Sequence, residues 1–552
     1  MIARRVVIAG TVICVASGLI WLLCLVLAPG GWTLAKLVML VGLTGTAPWT
    51  GLCLANGLSG FAARMLRGAT ADAPPPTDLP PLVIAVTLRD EALAPVLVAL
   101  RRLHDALATI CPYWTVTGFI LSDTAAPGAI ADEEACMASL NQTDRRRIRY
   151  RRRSDNFGFK AGNIMEFLDH HAEGFEFMLM LDADSVMSPD AVLRLASRLQ
   201  ADPHLGIVQH LTVGVPAASP LPRLFQFGMR AGMRIWAAGQ DWWQGDAGPY
   251  WGHNAMLRIA PFRAHARLPL LPDGRSILSH DQVEAALLCG AGWGVRVVAD
   301  EDGSWEAFPP ALPEHLGREL RWLAGNLQYR HLFRLPGMHA MGRWQLLQAI
   351  LLFAGAPFWM LFLLGAAGAA ATDHVSTFPM TPALVLTLAW AGALYAPKLL
   401  GYLEVLLLHE HRARYGGGAR FMRGMLAETV FTLLYDAIGQ VSKTIAIVRL
   451  ACGAHAGWAP QNRTDRGVGW REATRLCGAH TALGLVVFAA FACAGWHAAL
   501  WAAPLVGGLL VSIPFAMITA DRRFGRWLQR RGIAMIPEEI EDEAFSRAAV
   551  TA

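Results

Sequence analysis

The chain has 552 residues, 54% of them hydrophobic and 16% charged, with mean hydropathy +0.35 and a formal net charge of +5. Soluble domains average about 25% charged residues, so this composition excludes a wholly water-soluble protein and places part of the chain in lipid. Nine scattered cysteines with no Cys-x-x-Cys pair exclude a disulfide scaffold and a zinc knuckle, and predict a reduced, cytosol-facing soluble part.

Residues 6–28 carry no charge, and a second apolar run follows at 37–61. Each is long enough to cross a hydrocarbon layer of about 30 Å. No small-residue cleavage motif precedes a polar start, so a cleaved signal peptide is not expected. Arg4 and Arg5 precede the first run, and Arg64 and Arg67 follow the second. The excess of positive charge on the inner side then puts both ends of this hairpin (1–68) in the cytoplasm. "ATADAPPPTDLPP" (69–81) reads as a linker.

Residues 82–335 read as one α/β domain. "LVIAVTL" (82–88), "VTGFILS" (116–122) and "FEFMLMLDAD" (175–184) are strand-like, with helical periodicity at 92–108 and 188–200 between or after them. Such alternation predicts a largely parallel sheet. "RRRIRYRRR" (145–153) holds seven arginines in nine residues. No nucleic-acid-binding module accompanies it, so it reads as a strand with a basic, solvated or membrane-facing surface, and no nucleic-acid partner is expected.

Beyond Pro336 the apolar character returns. Residues 336–408 read as an interfacial helix and a hairpin with spans at 346–371 and 383–408, and 478–520 as a last hairpin with spans at 478–496 and 500–519. Lys398 and Glu404 interrupt the second of these spans, which marks them as functional candidates or as snorkelling side chains near its end. Between the hairpins, 409–477 opens on the basic "HEHRARYGGGARFMR". Its apolar part, 425–450, carries Asp436, Lys443 and Arg449. A crossing there would put the arginines of "GWAPQNRTDRGVGWREATR" (457–475) outside, so an interfacial or re-entrant course is expected. The tail, 521–552, begins "DRRFGRWLQRR". The whole predicts about six spans plus interfacial helices, with both termini and the α/β domain cytoplasmic.

Ligands of α/β sheets bind at the carboxyl ends of the strands. Three of those ends carry acids here: Asp90 and Glu91, Asp123, and the Asp182/Asp184 pair. Residues i and i+2 of an extended strand point the same way, so Asp182 and Asp184 are expected to converge. Close carboxylates repel unless a cation joins them, and Mg²⁺ commonly uses one or two carboxylates plus substrate phosphates. A metal–diphosphate clamp is one reading; a solvated loop leading into the Ser188-Pro189-Asp190 helix start is the other. "NFGFKAGN" (156–163) offers Lys160 and a helix N-terminus to an anion, or only a cap. Asp281 in "ILSHDQVEAALL" (277–288) stands at a helix start, as a capping acid or as a general base. Arg318 and Arg321 in "RELRW" share one helical face beside Trp322, which suits either lipid headgroups or a leaving diphosphate and a sugar ring.

Taken together, Asp123, Asp182-x-Asp184, Asp281 and Arg318-x-x-Arg321-Trp322 resemble the D, DxD, D, (Q/R)xxRW signature of processive family 2 glycosyltransferases of the cellulose- and hyaluronan-synthase type. "KAGNIMEF", "LDADSVMS", "YWGHNAMLR", "ILSHDQVEAAL", "AGWGVRV" and "APLVGGLLVSIP…IPEE" are closer to the glucosyltransferase H branch, which makes osmoregulated periplasmic glucans. The resemblance runs through almost the whole chain. It implies a GT-A-like α/β cytoplasmic domain inserted between transmembrane helices. It implies that Thr87, Glu91 and Asp123 meet the uridine of UDP-glucose, Lys160 the diphosphate, and Asp182 the ribose and metal, with Asp184 ligating Mg²⁺ or Mn²⁺. Asp281 would be the base. Arg318 and Arg321 would hold the departing diphosphate; Trp322, Trp251 and His253 would meet the growing glucan acceptor. It also implies a bacterial inner membrane location, periplasmic glucan-processing partners, and a gating loop at "GWAPQNR" (457–463). Longer members carry an extended N-terminal cytoplasmic region that this sequence does not show, which leaves regulation through such a region without a basis here.

Two rival classes give different expectations. A transporter with a nucleotide-sensing domain has no need of Asp281. A phosphohydrolase leaves Arg318-x-x-Arg321-Trp322 and the apolar spans without a role. Another β-linked polymer, cellulose- or hyaluronan-like, is the alternative within the same class.

Overall fold

The computed structural model describes residues 1–66, 78–372, 378–454, 462 and 464–541. Most of the Pro-rich linker, most of "GWAPQNR" and the tail from 542 onward lie outside the described residues.

The strands are β1 (Leu82–Leu88), β2 (Val116–Ser122), β3 (Ile148–Arg152), β4 (Phe177–Asp182), β5 (Val186–Met187), β6 (Leu205–His210), β7 (Val213–Gly214), β8 (Ala255–Arg258), β9 (Gly294–Val298) and β10 (Ser304–Glu306). Seven form a sheet in the order β3-β2-β1-β4-β8-β6-β9, and β5-β10-β7 form a small second sheet. The central strands β1 and β4 are nearly continuous apolar runs because both of their faces are covered. Leu82, Ile84 and Val86 face the helices Leu93–Ile110 and Pro189–Ala201, while Val83 and Ala85 face Phe159–His170 and Asp281–Gly290.

The sheet departs from the parallel expectation at one strand. β8 runs antiparallel to both β4 and β6, so the sheet is mixed. The arginine run forms a strand with a largely solvated basic surface, from which two arginines turn inward. β3 is the edge strand, and two arginines of the run reach inward, Arg151 to Glu166 at 2.6 Å and Arg153 to buried Asp123, whereas Arg147 pairs with Asp105 at 3.0 Å at the surface and Arg149 and Arg152 are exposed. Charges on an edge also discourage pairing with another strand.

Ile2–Leu27, Leu34–Leu66, Ala340–Thr372 and Trp470–Cys493 are long and apolar enough to cross a membrane. Two further helix pairs pass the same test together: Met380–Leu394 with Ala396–Leu407, bent by 73°, and Trp496–Leu510 with Ser512–Ile518, bent by 55°. The spans expected to be continuous at 383–408 and 500–519 are therefore broken. Pro397 and Pro514 explain the breaks, since each lacks the N–H that would bond four residues back, at Ala393 and Leu510.

Residues 425–450 lie within one helix, Gly418–Ala451, of 34 residues. Asp436, Lys443 and Glu428 have partners on neighbouring elements, while Arg449 is exposed. Asp436 accepts from the Tyr395 hydroxyl at 2.5 Å, Lys443 lies 3.5 Å from Glu319, and Glu428 receives Lys398 at 2.6 Å. Glu404 is likewise no lone charge: it is buried and pairs with Arg64 at 2.5 Å and Arg234 at 2.7 Å.

The helix Pro220–Gln244 joins the sheet domain to the apolar helices. It packs tightly on Leu34–Leu66 because glycines meet there. A Cβ on Gly60 would stand 1.9 Å from the Ile235 carbonyl oxygen, and one on Gly239 2.3 Å from that of Asn56. Asn56 clamps the contact, donating to the Trp236 carbonyl at 2.9 Å and accepting from Trp243 Nε1 at 2.8 Å. Gly60→Val is expected to force the helices apart and destabilise the protein by about 1–3 kcal/mol, the range for overpacking. A lower thermal midpoint in detergent would show it; an unchanged midpoint would mean that the contact yields without strain.

Candidate functional site

The carboxyl ends of β1, β2 and β4 and the loop entering β8 share one edge of the sheet, because β8 runs the opposite way. Register places Thr87 beside Asp182, and the Thr87 hydroxyl donates to Asp182 Oδ1 at 3.1 Å. Lys160 stands in the first turn of Phe159–His170; its ammonium pairs with Asp182 and donates to the Gly252 carbonyl at 2.8 Å. Gly252 has φ +81° and carries the other contact: a Cβ there would lie 3.4 Å from Asp281 Cβ and from His280 Cε1. Lys160, Asp182, the "YWGH" loop and Asp281 thus form one group around Gly252.

Asp182 and Asp184 are not a same-face strand pair. The strand stops at Asp182 and Asp184 occupies the turn that follows. Ser185 closes this turn, its hydroxyl accepting from the Asp182 N–H at 3.1 Å and its own N–H donating to the Asp182 carbonyl at 3.0 Å. Asp182 turns to Lys160, whereas Asp184 is among the carboxylates whose field reaches Arg318.

Arg318 and Trp322 come from the helix Leu312–Gln328. Arg318 is buried, 3.9 Å from Glu306, with its guanidinium 4.8 Å from the ring centres of both Phe308 and Trp322. Burial pushes its pKa below the ordinary value, and the nearby carboxylates Glu306, Glu319 and Asp184 offset that only in part. A phosphate arriving here would meet an under-compensated cation. Trp322 is 44% exposed, leaving an indole face to solvent; Arg321 is half-buried on the next turn. On the far side of Glu306, His253 Nε2 lies 3.6 Å away. Trp251 is fixed through its N–H, which donates to Gln209 at 2.8 Å.

Asp123 is placed differently from the free carboxylate its expected role implies. Both oxygens are taken by Arg153, at 2.5 and 2.8 Å, and Asn163 donates to one of them at 2.8 Å. Glu91 caps its own loop, accepting from the Arg89 N–H at 2.7 Å. Both stand at the β1–β2 side of the edge, beside Asp90, which bonds the N–H groups of Ala125 and Ala126 at 3.1 Å each.

Three of the four non-glycine residues with positive φ among the described residues ring this site: Asp90, Phe159 and Asn254. Backbone strain of this kind gathers where loops are held for function. Among the described residues, no cluster of three or more His, Cys, Asp and Glu side chains forms a metal cage. Asp182 and Asp184 offer hard oxygen donors, the set that suits a cation completed by substrate phosphate.

Several residues of this region had no sequence signal. Glu306 sits in "SWEAF", which matches no motif, yet it stands between His253 and Arg318. Glu319 accepts from Tyr435 at 2.9 Å, and Tyr435 bonds His315 at 2.7 Å, so the helix Gly418–Ala451 braces the one carrying Arg318. Glu133, buried, receives the hydroxyls of Ser122, Thr124 and Tyr150 behind Asp123.

A family model described as glycosyl transferase family group 2 matches residues 177–396, which include Asp182, Asp184, Trp251, His253, Asp281, Arg318, Arg321 and Trp322. The fold is accordingly a GT-A-like glycosyltransferase fold with a mixed sheet. Proteins named glucans biosynthesis glucosyltransferase H are similar over nearly the whole chain. The one from Rhodopseudomonas palustris is 33% identical over 98% of this chain and 78% of its own length. Those from Xanthomonas campestris pv. campestris and Vibrio cholerae serotype O1 are each 32% identical, over 98% and 99% of this chain and 87% and 79% of their own. Among solved structures, the mannosyltransferase PcManGT from Pyrobaculum calidifontis, in complex with GDP-Man and Mn²⁺, is 16% identical over 66% of this chain and 98% of that one, with TM-score 0.44, a likeness too loose to inform the site. A site of this composition and near full-length identity above 30% lead to one conclusion: the chain belongs to the glucans biosynthesis glucosyltransferase H family of family 2 glycosyltransferases.

Proposed function

We propose that this protein is a metal-dependent, inverting glucosyltransferase of the bacterial inner membrane. It transfers glucose from UDP-glucose to the growing β-glucan backbone of an osmoregulated periplasmic glucan, and couples growth to export. The observation that carries the reading is the convergence on Gly252: Lys160 and Asp182 on one side, Asp281 on the other. It sets a diphosphate-binding cation beside a carboxylate positioned as a base.

In this reading Thr87, Glu91 and Asp123 border the nucleoside end. Asp123 acts through Arg153 and the loop it orders, since its carboxylate is engaged. Lys160, Arg318 and Arg321 bind the diphosphate. Trp322, Trp251 and His253 position the acceptor sugar, and Asp281 takes the proton of the attacking hydroxyl. A single base beside the acceptor loop suits one in-line displacement, which turns an α-linked donor into a β-linked product. Asp182 and Asp184 would hold Mg²⁺ or Mn²⁺, which when bound offsets the charge that develops on the departing diphosphate.

The domain at 82–335 and both termini are cytoplasmic in this proposal, with six crossings when each bent pair counts as one. The helix Arg522–Arg530, with Trp527 48% exposed, lies along the inner headgroups.

Purified protein given radiolabelled UDP-glucose and Mg²⁺ is expected to make a β-glucan; UDP release without polymer would favour a hydrolase. Asp184→Ala is expected to lower the metal-dependent rate by at least about 100-fold, the order seen when electrostatic support of a leaving group is removed. An unaltered rate and metal dependence would return this turn to a helix cap.

A further inference from the structure

Glu306 belongs to none of the motifs that mark this site, yet the fold holds it among them. The small sheet fixes its place. β10 pairs antiparallel with β5, the strand that follows the Asp184 turn, and parallel with β7, where Glu306 stands beside Gly214. The Val215 N–H donates to the Glu306 carbonyl at 3.0 Å. Neighbouring side chains of a strand point to opposite faces. Trp305 turns toward buried Glu538, its indole donating at 2.8 Å. Ser304 and Glu306 share the other face. There Ser304 accepts from Asn254 Nδ2 at 2.8 Å, which ties the strand to the loop that carries Trp251 and His253.

The Glu306 carboxylate, 20% exposed, lies 3.6 Å from His253 Nε2 and 3.9 Å from Arg318 Nη1. Hydrogen bonds from nitrogen donors run about 2.7–3.2 Å. Both contacts are longer, so the two oxygens keep acceptor capacity. A carboxylate cannot donate, and it repels phosphate. The ligand it suits is a neutral group rich in hydroxyls, whose O–H···O⁻ bonds are short and strong. A sugar is such a group. The guanidinium of Arg318, which reaches Glu306, also lies 4.8 Å from the ring centre of Trp322, and that indole is 44% exposed. An indole takes the apolar C–H face of a pyranose, while a carboxylate beside it takes the hydroxyls. Of the two sugars a transfer brings together, Glu306 faces the acceptor, because its nearer neighbour is His253 of the acceptor loop.

We propose that Glu306 is an acceptor-binding residue: its carboxylate receives hydroxyls of the terminal sugar of the growing glucan and holds that sugar beside Trp322, between His253 and Arg318. The proposal rests on the reading of the site as a glucan-forming one. No bond forms or breaks at Glu306, and it exchanges no proton with the sugar. The same carboxylate is a counter-charge of Arg318, so its removal leaves that cation more available to the diphosphate of the donor. Loss of Glu306 therefore acts in opposite directions on the two substrates.

The test compares wild type, Glu306→Gln and Glu306→Ala as full-length protein in lipid nanodiscs, given radiolabelled UDP-glucose and Mg²⁺. Glucose incorporated into β-glucan, total UDP released, and UDP binding by calorimetry are read separately. Glu306→Ala is expected to lower incorporation by about 10–100-fold, the factor for a lost hydrogen bond to a charged group. Glu306→Gln keeps the shape and one acceptor oxygen, and is expected to lose less, about 3–10-fold. Both variants are expected to bind UDP at least as tightly as wild type, because a negative charge beside Arg318 is gone, and to release more UDP per glucose incorporated. Weaker UDP binding in both variants would overturn the assignment and leave Glu306 a framework residue. An unchanged ratio of UDP to incorporated glucose would overturn it by placing the carboxylate on the donor sugar. Incorporation within about twofold of wild type in Glu306→Ala would also overturn it. Asp281→Asn separates the two levels. If wild type makes no glucan, or Asp281→Asn makes as much as wild type, the reading of the site fails and takes this assignment with it. If Asp281→Asn is inactive while Glu306→Ala stays within about twofold, only the assignment fails.

Discussion

Asp281→Asn should lower glucan synthesis at saturating UDP-glucose by about 10²–10⁴-fold, the usual contribution of a positioned general base, and leave UDP affinity intact. Asparagine keeps the size of the side chain and its place at the start of Asp281–Gly290. It cannot accept the proton. The groups proposed to bind the diphosphate are elsewhere: Lys160 on Phe159–His170 and Arg318 on Leu312–Gln328. Steady-state turnover and UDP binding by calorimetry measure the two consequences separately. Turnover within about threefold of wild type would remove Asp281 from the reaction. Loss of UDP binding would mean that Asp281 holds the site together rather than acting in it.

The largest expected effect on stability lies away from the chemistry. Glu301, with its side chain 2% exposed, meets Arg234 at 3.1 Å, Arg230 at 3.5 Å, Arg414 at 3.7 Å and the Tyr415 hydroxyl at 3.2 Å. Arg230 also reaches Glu538 at 2.5 Å, Arg234 reaches Glu404 at 2.7 Å, and Arg223 meets Glu539 at 2.5 Å. One ionic network thus joins the sheet domain, the bent apolar pair and the C-terminal "IPEE" segment, with Trp305 of β10 donating to Glu538 at 2.8 Å. Removing one member of a buried ion pair leaves an uncompensated charge, at about 3–5 kcal/mol. Glu301→Gln is expected to destabilise by that order in a denaturation series in detergent. Arg147→Gln, which removes an exposed pair with Asp105, should change stability by less than about 1 kcal/mol. Equal effects of the two would show that water reaches the network.

The same residue carries a pH signature. Burial raises the carboxyl pKa, but Arg234, Arg230 and Arg414 outweigh it and hold Glu301 at about 2, below its ordinary value of 4.5. A folded-state pKa below the unfolded one favours folding once the pH exceeds the unfolded value. The contribution of Glu301 is therefore complete above about 4.5 and is lost as pH falls toward 2. In Glu301→Gln this part of the acid-side slope should be missing.

Local pattern read well wherever the physics is local. The runs 82–88 and 116–122 are β1 and β2 to the residue, and 188–200 matches the helix Pro189–Ala201 within one residue. Both faces of the central strands are buried, so their apolar runs are continuous and their ends sharp. Helix-start chemistry put Asp281 where it stands. The pattern failed where a distant partner decides. Strand periodicity assumed that β4 continued through Asp184, but Ser185 turns the chain. Hydropathy saw 383–408 as one span because it averages over Pro397. Asp436 and Lys443 could not be interpreted from the sequence around them, for their partners lie 41 and 124 residues away, at Tyr395 and Glu319.

By itself the sequence determined that the chain is part apolar and part α/β domain, that acids stand at the ends of three strands, and that the site's motifs follow in family 2 order. Those features depend on composition and on near neighbours. Only the tertiary structure decided that β8 is reversed, that Asp123 is held by Arg153, and that Gly252 brings Lys160 and Asp281 onto one loop. It alone revealed that three arginines of one helix lie buried among carboxylates drawn from the rest of the chain. A buried charge is stable only with a partner, and the partner's place in space is not written in the residues beside it.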